Sequence, residues 1–275
     1  MSNFTIGTVY LNVANLETML AFYQDIIGLT VHQRVGSRAH LGVGQQDILV
    51  LTETPDKKRV RSATGLYHFA ILVPTRVQLA KSLKRLAETQ TRIQGLSDHH
   101  VSEAIYLADP EGNGIEIYHD RARETWYTNG QLRMDTLALD VNDLMRTLST
   151  EDAEWEGLPV GTIMGHIHLH VASVPQAEAF YRTILGMDVL MNMGSATFMS
   201  YDGYHHHVGA NIWGGRQLPA GQELGLDKYD LHIRDATRLD AILGQLDAND
   251  IAITPVDEGY RVQDPSLNSV VIRSA

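Results

Sequence analysis

The 275-residue chain contains no cysteine, no long apolar run and no concentration of positive charge. Without cysteine it cannot form disulfides, bind a metal or an iron–sulfur cluster through thiolates, or use a cysteine nucleophile. No stretch approaches the roughly 20 apolar residues of a membrane span, and the first residues lack the basic and apolar regions of a secretory signal. These absences predict a cytoplasmic protein without a membrane segment.

Positive charge is the scarcer sign in this chain. The 22 basic residues are outnumbered by 33 acidic ones, and the net charge is −11 at pH 7. Because no Lys or Arg cluster forms an electropositive stripe, nucleic acid is not an expected partner. The chain does have 44% hydrophobic residues, enough for two ordinary domains, and 13 histidines, which together with Asp and Glu are suited to metal chemistry.

An internal repeat divides the chain into two similar halves. The motifs Gly7–Val13, Phe22-Tyr23 and Ile27-Gly28-Leu29 recur at a constant offset as Gly165–Val171, Phe180-Tyr181 and Leu185-Gly186-Met187. A looser pairing sets Asp109-Pro110 against Asp264-Pro265, which indicates two modules in each half.

Each module has the pattern of a strand, a helix and three further strands. In the third module, residues 165–172 alternate, 176–184 have helical apolar spacing, and strand-like runs follow near 187–193, 195–202 and 206–213. Such βαβββ units curl into half-barrels, which must pair because one unit has too little core to stand alone.

The predicted fold class is therefore α+β, with four βαβββ modules. We expect an N-terminal domain of modules one and two over residues 1–120 and a C-terminal domain of modules three and four over 161–275. A linker with a short helix, indicated by the pattern at 140–148, is expected over 121–160.

A hairpin motif lies at the end of module two. Pro110, Gly112, Asn113 and Gly114 predict a tight turn, since proline presets one backbone angle and glycine and asparagine tolerate positive φ. The following strand alternates, so Glu116 points away from the face of its isoleucine neighbours. Glu116 therefore faces either solvent or a functional pocket.

This region resembles the signature of the extradiol ring-cleaving dioxygenases, members of the vicinal-oxygen-chelate superfamily. That signature has a His, an aliphatic–Tyr pair, an acidic residue with Pro, a Gly and a Glu, matched here by His99, Ile105-Tyr106, Asp109-Pro110, Gly112 and Glu116. The chain departs from it at Ser97, where the family prefers Gly, Asn, Thr, Ile or Val. The resemblance implies two half-barrel domains of the glyoxalase/extradiol-dioxygenase type.

The first and last strands of modules two and three offer a set of metal ligands. His68 and His166 occupy matching places on first strands, and Glu116 lies on a last strand. Two imidazoles and one carboxylate leave three adjacent coordination positions free, as in non-haem Fe(II) oxygenases. We therefore predict that these three residues bind Fe(II), with Mn(II) as the alternative.

The corresponding places in modules one and four hold Thr8, Lys228 and Val271, which do not form such a set. We infer that modules two and three face one another and build the site where the halves meet. The alternative is that His68 and His166 lie in separate barrels and only pack at strand ends.

The resemblance implies three catalytic residues beside the metal. The family has a His-His pair whose second His acts on bound dioxygen. In this chain the tract 205–207 offers that pair, and alignment of the following small residue at Ala210 selects His207. His206 is the alternative. His99 and Tyr106 match a pair that hydrogen-bonds the substrate oxygens and moves protons; His100 is the alternative to His99.

The resemblance thus implies an Fe(II)-dependent extradiol dioxygenase, of the catechol 2,3-dioxygenase type, that opens a small aromatic diol with O2 in aromatic catabolism. A glyoxalase-like isomerase or lyase is one alternative, but such sites generally need two carboxylates, and residues 204–213 contain no Asp or Glu. A non-catalytic small-molecule-binding resistance protein is the other, and it needs no metal. A homo-oligomer is compatible with the sequence.

Overall fold

The computed structural model describes residues 3–149 and 154–275. Four successive modules have the predicted order of one strand, one helix and three strands, and the α+β fold class is confirmed. Part of the linker predicted at 121–160, residues 150–153, lies outside the described residues. No helix in the described part of the chain is long and apolar enough to span a membrane.

The first two modules occupy the N-terminal half. Module one comprises β1 (Phe4–Val13), α1 (Leu16–Ala21, continued by a π-helical segment, Phe22–Ile27), β2 (Thr30–Val35), β3 (Arg38–Val43) and β4 (Gln46–Glu53). Module two comprises β5 (Gly65–Leu72), α2 (Arg76–Glu88), β6 (Ile93–Asp98), β7 (Ser102–Ala108) and β8 (Gly114–Asp120).

The linker and the last two modules follow. The linker contains a 3₁₀ turn (Arg123–Thr125), β9 (Tyr127–Thr128), β10 (Gln131–Leu132), β11 (Leu137–Ala138) and α3 (Val141–Met145). Module three comprises β12 (Ile163–His170), α4 (Val174–Ala179, continued by a π-helical segment, Phe180–Ile184), β13 (Asp188–Asn192), β14 (Ala196–Ser200) and β15 (Val208–Asn211). Module four comprises β16 (Gly225–Ile233), α5 (Ala236–Ala248), β17 (Thr254–Val256), β18 (Gly259–Gln263) and β19 (Ser269–Ser274).

The modules pair across the two halves of the chain. Modules one and four share an eight-stranded sheet in the order β17-β18-β19-β16-β1-β4-β3-β2, and modules two and three share a nine-stranded sheet in the order β11-β6-β7-β8-β5-β12-β15-β14-β13. The inference that modules two and three face one another is confirmed by the antiparallel pairing of β5 with β12. Each sheet thus draws on both halves, while the division into domains at 1–120 and 161–275 stays a prediction.

The repeated Phe-Tyr and Asp-Pro motifs meet in equivalent contacts. Tyr23 donates a hydrogen bond of 2.8 Å to the Asp109 carboxylate, and Tyr181 donates one of 3.3 Å to Asp264. Asp109 also accepts from the backbone N–H of Asn113, which closes the turn before β8. Because buried carboxylates need such donors, these contacts join the helix of one module to the last turn of the next.

The nine-stranded sheet has two different faces near β5, β8 and β12. Phe69, Ile115 and Ile167 point into the apolar core. The alternate residues, among them Ala70 and Glu116, point to the other face. The prediction that Glu116 faces away from its isoleucine neighbours is confirmed, although it is only 2% exposed. Glu116 therefore lines a pocket and does not lie on a solvated surface.

Candidate metal centre

The three predicted ligands project from three adjacent strands. In the sheet register, Ala70 lies opposite His166 on one side and opposite Glu116 on the other. Residues directly opposite point to the same face, and the small Ala70 leaves space for the longer side chains to meet above it. His68, two residues earlier on β5, reaches the same space.

His68, Glu116 and His166 converge as the sequence predicts. One ligand atom from each lies within 4.8 Å of the others, and all three residues are buried. Oε2 of Glu116 lies 3.0 Å from Nε2 of His166 and 3.1 Å from Nε2 of His68. Two donors at adjacent positions of one ion, with bonds of about 2.1 Å, lie about 3.0 Å apart, so the spacing fits a common divalent metal.

The hydrogen bonding of His68 agrees with that fit. Buried Nε2 of His68 has no hydrogen-bond partner among the described residues, despite its proximity to Glu116. An orphaned imidazole nitrogen in a buried site is unfavourable unless something binds it, and a cation satisfies that lone pair. The His166 ring is held by contacts with His206 and Tyr118, at centroid distances of 4.1 and 4.8 Å.

Glu116 is arranged to remain ionised in this site. Burial alone raises the pKa of its carboxyl, but the neighbouring His166 and His68 together hold that pKa well below its usual range. Burial lowers the pKa of His166 more than Glu116 raises it, so this imidazole is kept neutral. An anionic oxygen and neutral imidazole nitrogens are the forms that bind a divalent ion.

His99 and Tyr106 form the predicted pair beside the ligands. Nε2 of His99 lies 2.8 Å from the Tyr106 hydroxyl, and Nδ1 lies 2.6 Å from the carbonyl oxygen of Asp135. Because a carbonyl only accepts, His99 donates from Nδ1, and Tyr106 donates to Nε2. Burial and the Glu116 charge raise the pKa of Tyr106 well above its usual value, so the phenol keeps its proton.

The choice of His99 over His100 agrees with these contacts. His99 and Tyr106 both line a cavity of about 470 Å³ that also includes His68 and Glu116. His100 has a positive φ of 64° and is absent from the described lining of this cavity.

The orientation of the tract 205–207 favours His206 over His207, the residue selected from the sequence. His206 lines the cavity, whereas His207 is absent from its described lining. The Nδ1 of His207 instead accepts a hydrogen bond from the backbone N–H of Tyr201 at 3.2 Å and lies 2.9 Å from the Ser200 hydroxyl oxygen. The strand predicted over 206–213 begins only at Val208, so alternation does not apply to this tract.

Two residues near His206, His205 and Asp120, lie outside the set of site residues predicted from the sequence. His205 is fully buried between Asp120 and His206. Their contact joins modules two and three, and no local sequence pattern signals it. His168 also lines the cavity, and its Nε2 lies 2.9 Å from the Asn211 side-chain amide.

The cavity is also lined by large apolar side chains. Its side chains include Met134, Met191, Met193, Phe198 and Trp213. Glu116 and Asp135 are the acidic residues among the described residues that line it, and no Lys or Arg appears among them. A volume of about 470 Å³ with a few convergent polar groups is typical of small-molecule sites.

Comparisons with known proteins agree with this site and fold. Residues 5–117 match the model of the Glyoxalase/Bleomycin resistance protein/Dioxygenase superfamily. The chain is 42% identical over 269 residues to catechol-2,3-dioxygenase of Bacillus subtilis (strain 168), covering 94% of this chain and 93% of that protein. It is 26% identical over 121 residues to a lactoylglutathione lyase of Neisseria meningitidis serogroup A, covering 41% of this chain and 88% of that protein.

Solved structures resemble the whole chain. Glyoxalase I from Zea mays has a TM-score of 0.61 at 15% identity, covering 98% of this chain and 92% of that one. A protein from Bacillus subtilis subsp. subtilis str. 168 has a TM-score of 0.66 at 14% identity, covering 98% of this chain and 84% of that one. At such identities the likeness establishes the fold alone.

Proposed function

Since the chain belongs to the Glyoxalase/Bleomycin resistance protein/Dioxygenase superfamily and, within it, to the extradiol dioxygenases, we propose that it opens the ring of a catechol with O2, using Fe(II). The observation that carries this proposal is the convergence of His68, Glu116 and His166 in one buried cluster at a cavity of substrate size. Mn(II) is the alternative ion, because the same ligands suit both metals.

His68, Glu116 and His166 would hold the metal. Bound there, the ion would supply a template for the two diol oxygens and O2. Glu116 contributes the one negative charge of this ligand set, and its burial keeps competing water from the carboxylate. The remaining chemistry falls to side chains that bind the ring and move protons.

His99 and Tyr106 are suited to receive a proton from a catechol hydroxyl. Tyr106 already donates to Nε2 of His99, so the phenolic oxygen has free lone pairs with which to accept a substrate O–H. The substrate proton passes to the Tyr106 oxygen as the phenolic proton passes to Nε2 of His99. His99 is prepared for this role by the carbonyl of Asp135, which fixes its other proton on Nδ1.

His206 is the proposed acid–base group on the opposite side of the cluster. Its ring contacts that of His166, and it lines the cavity. Burial lowers its pKa well below the usual value, so the imidazole is neutral and available as a base. We assign to His206 the role that the sequence resemblance gave to His207.

The glyoxalase-like alternative is less well supported. In the described residues, the cluster that can hold a metal contains one carboxylate, Glu116, alongside two imidazoles. A non-catalytic binding protein needs neither this cluster nor the paired His99 and Tyr106. The single carboxylate of the cluster and the pairing of His99 with Tyr106 both favour the dioxygenase.

The proposed function is tested on protein purified anaerobically and loaded with Fe(II) or Mn(II). We expect about one metal ion per chain, oxygen uptake on addition of catechol, and a yellow ring-opened product formed in equal amount to the O2 consumed. Loading with Zn(II) should fill the site without oxygen uptake, because Zn(II) has no redox chemistry. Full Fe(II) occupancy with no oxygen uptake across a panel of catechols would refute the proposal.

The cavity indicates which catechols fit. Apart from the metal ligand Glu116, the described lining of the cavity has acidic Asp135 and no Lys or Arg that could pair with a carboxylate on the ring. Burying an unpaired carboxylate costs several kcal/mol. We therefore propose that the substrates carry uncharged, apolar ring substituents, which the methionines, Phe198 and Trp213 can contact.

Accordingly, kcat/KM for 4-methylcatechol should exceed that for 3,4-dihydroxybenzoate by about a hundredfold or more, since about 1.4 kcal/mol corresponds to a factor of ten. Steady-state oxygen uptake measures both values. The matched variant is Met193→Arg. Met193 lines the cavity and is 62% exposed, so an Arg there should supply a cation for the ring carboxylate. The difference in kcat/KM between the two substrates should then become smaller. Equal efficiency on both substrates in the unmodified protein would contradict the proposed preference.

The cytoplasmic location and the homo-oligomer considered from the sequence stay predictions. A place in aromatic catabolism follows only if the activity proposed here is found.

A further inference from the structure

A chain of polar side chains leads from the end of β8 to the cavity. Oδ1 of Asp120 lies 2.9 Å from Nε2 of His205, and Nδ1 of His205 lies 2.8 Å from Nδ1 of His206. Asp120 ends the strand that carries Glu116, whereas the two histidines belong to the loop between β14 and β15. The contact therefore links module two to module three beside the metal cluster.

The Asp120 carboxylate determines which atom is the donor in each of these hydrogen bonds. An ionised carboxylate can only accept, so His205 donates to Asp120 from Nε2. With a single N–H, which it gives to Asp120 from Nε2, His205 leaves its Nδ1 as an acceptor. The proton in the contact between the two rings must then belong to Nδ1 of His206.

The orientation of Asp120 is itself fixed by further contacts. Tyr204 donates to Oδ2 of Asp120 at 2.9 Å, and the Tyr118 hydroxyl lies 2.7 Å from that of Tyr204. Since Tyr204 gives its one proton to Asp120, Tyr118 is the donor in the second contact. With a partner on each oxygen, the carboxylate cannot rotate without losing a hydrogen bond.

We propose that Asp120 and His205 are positioning residues that hold His206 in the tautomer with its proton on Nδ1 and a bare Nε2 toward the cavity. This proposal deepens the proposed function. It rests on that function in one respect, the use of the bare Nε2 of His206 as a base. His206 can then take a proton from the bound substrate and later return it, while the same hydrogen bonds keep its ring in place.

Asp120→Asn is the variant expected to change the His206 tautomer while keeping the hydrogen bonds that hold the loop. The Asn carbonyl can still accept from Tyr204, and its NH₂ can donate to Nε2 of His205. His205 then carries its proton on Nδ1 and donates to Nδ1 of His206, which moves the His206 proton to Nε2. All the hydrogen bonds are kept, but the nitrogen facing the cavity changes from acceptor to donor.

Tyr204→Phe is the matched control, because it removes a hydrogen bond from the same carboxylate without changing its charge or its contact with His205. The His206 tautomer should be the same in this variant as in the unmodified protein. Asp120→Asn and Tyr204→Phe alter neighbouring atoms, so a change confined to the former cannot be ascribed to general disturbance of the loop.

The tautomers are read by long-range ¹H–¹⁵N NMR on the metal-free protein, with the His206 signals identified by their loss in His206→Phe. We expect a protonated Nδ1 and an unprotonated Nε2 in the unmodified protein and in Tyr204→Phe, and the reverse in Asp120→Asn. A protonated Nε2 in the unmodified protein would overturn the proposal even if no variant folded. An unchanged His206 tautomer in folded Asp120→Asn would also overturn it.

Kinetics supply the second readout. In Asp120→Asn, kcat for catechol should fall by about tenfold or more, with metal content and KM near those of the unmodified protein, since binding groups are untouched. A rise in KM with unchanged kcat would contradict a positioning role. An unmodified protein that cleaves no catechol would refute the proposed function alone, because the spectra report the tautomer without metal or substrate.

Discussion

Replacing Glu116 with Gln is expected to abolish both metal retention and ring cleavage. The two side chains have nearly the same size, so the amide should keep the place of Glu116 opposite Ala70 and Tyr106 in the sheet. A neutral amide cannot offset the charge of a divalent ion, and the other two ligands are neutral imidazoles. Metal content after anaerobic loading and oxygen uptake with catechol measure the two losses.

Glu111→Gln is the matched control for this loss of charge. Glu111 lies in the turn just before β8, and its carboxylate accepts hydrogen bonds from the backbone N–H groups of Ala14 and Asn15. An amide oxygen can still accept there, and the metal cluster is not touched, so metal content and turnover should be retained. Near-normal turnover with a full metal complement in Glu116→Gln would contradict the ligand role.

Replacing His206 with Phe is expected to slow ring cleavage by about a hundredfold or more while leaving the metal bound. A positioned acid–base group typically contributes about 10²–10⁴-fold, and the phenyl ring fills the same space against His166 and Phe198 without a nitrogen. The three ligands and the chelation positions are unchanged. Metal content, catechol affinity and oxygen uptake together separate binding from chemistry.

His207→Phe should have the opposite profile. Its loss leaves the Tyr201 N–H without its acceptor, which should lower the free energy of unfolding by about 1–3 kcal/mol. Turnover per folded molecule should stay near normal. Loss of metal in His206→Phe would make His206 a ligand, and loss of turnover confined to His207→Phe would restore the choice made from the sequence.

The three candidate ligands were predictable because strand geometry has a period of two. Once Glu116 was placed between two isoleucines, its face followed from alternation, and the repeat set His166 and His68 at matching places on first strands. The pairing of modules two and three also followed, since only those modules keep ligating residues at these places.

The tract 205–207 shows where such reasoning stops applying. Asp202 and Gly203 have positive φ values of 54° and 65°, which turn the chain out of the sheet before β15 begins at Val208. In an irregular loop, neighbouring side chains do not alternate between two faces, so a one-residue choice between His206 and His207 had no physical basis in the sequence.

The sequence by itself determined the four βαβββ modules and the set of residues able to bind a metal, because both depend on local periodicity and on a repeat visible along the chain. The tertiary structure decided which histidine faces the cavity and that Asp120 meets His205. The reason is that these contacts join residues 85 positions apart, from two modules brought together only when β5 pairs with β12.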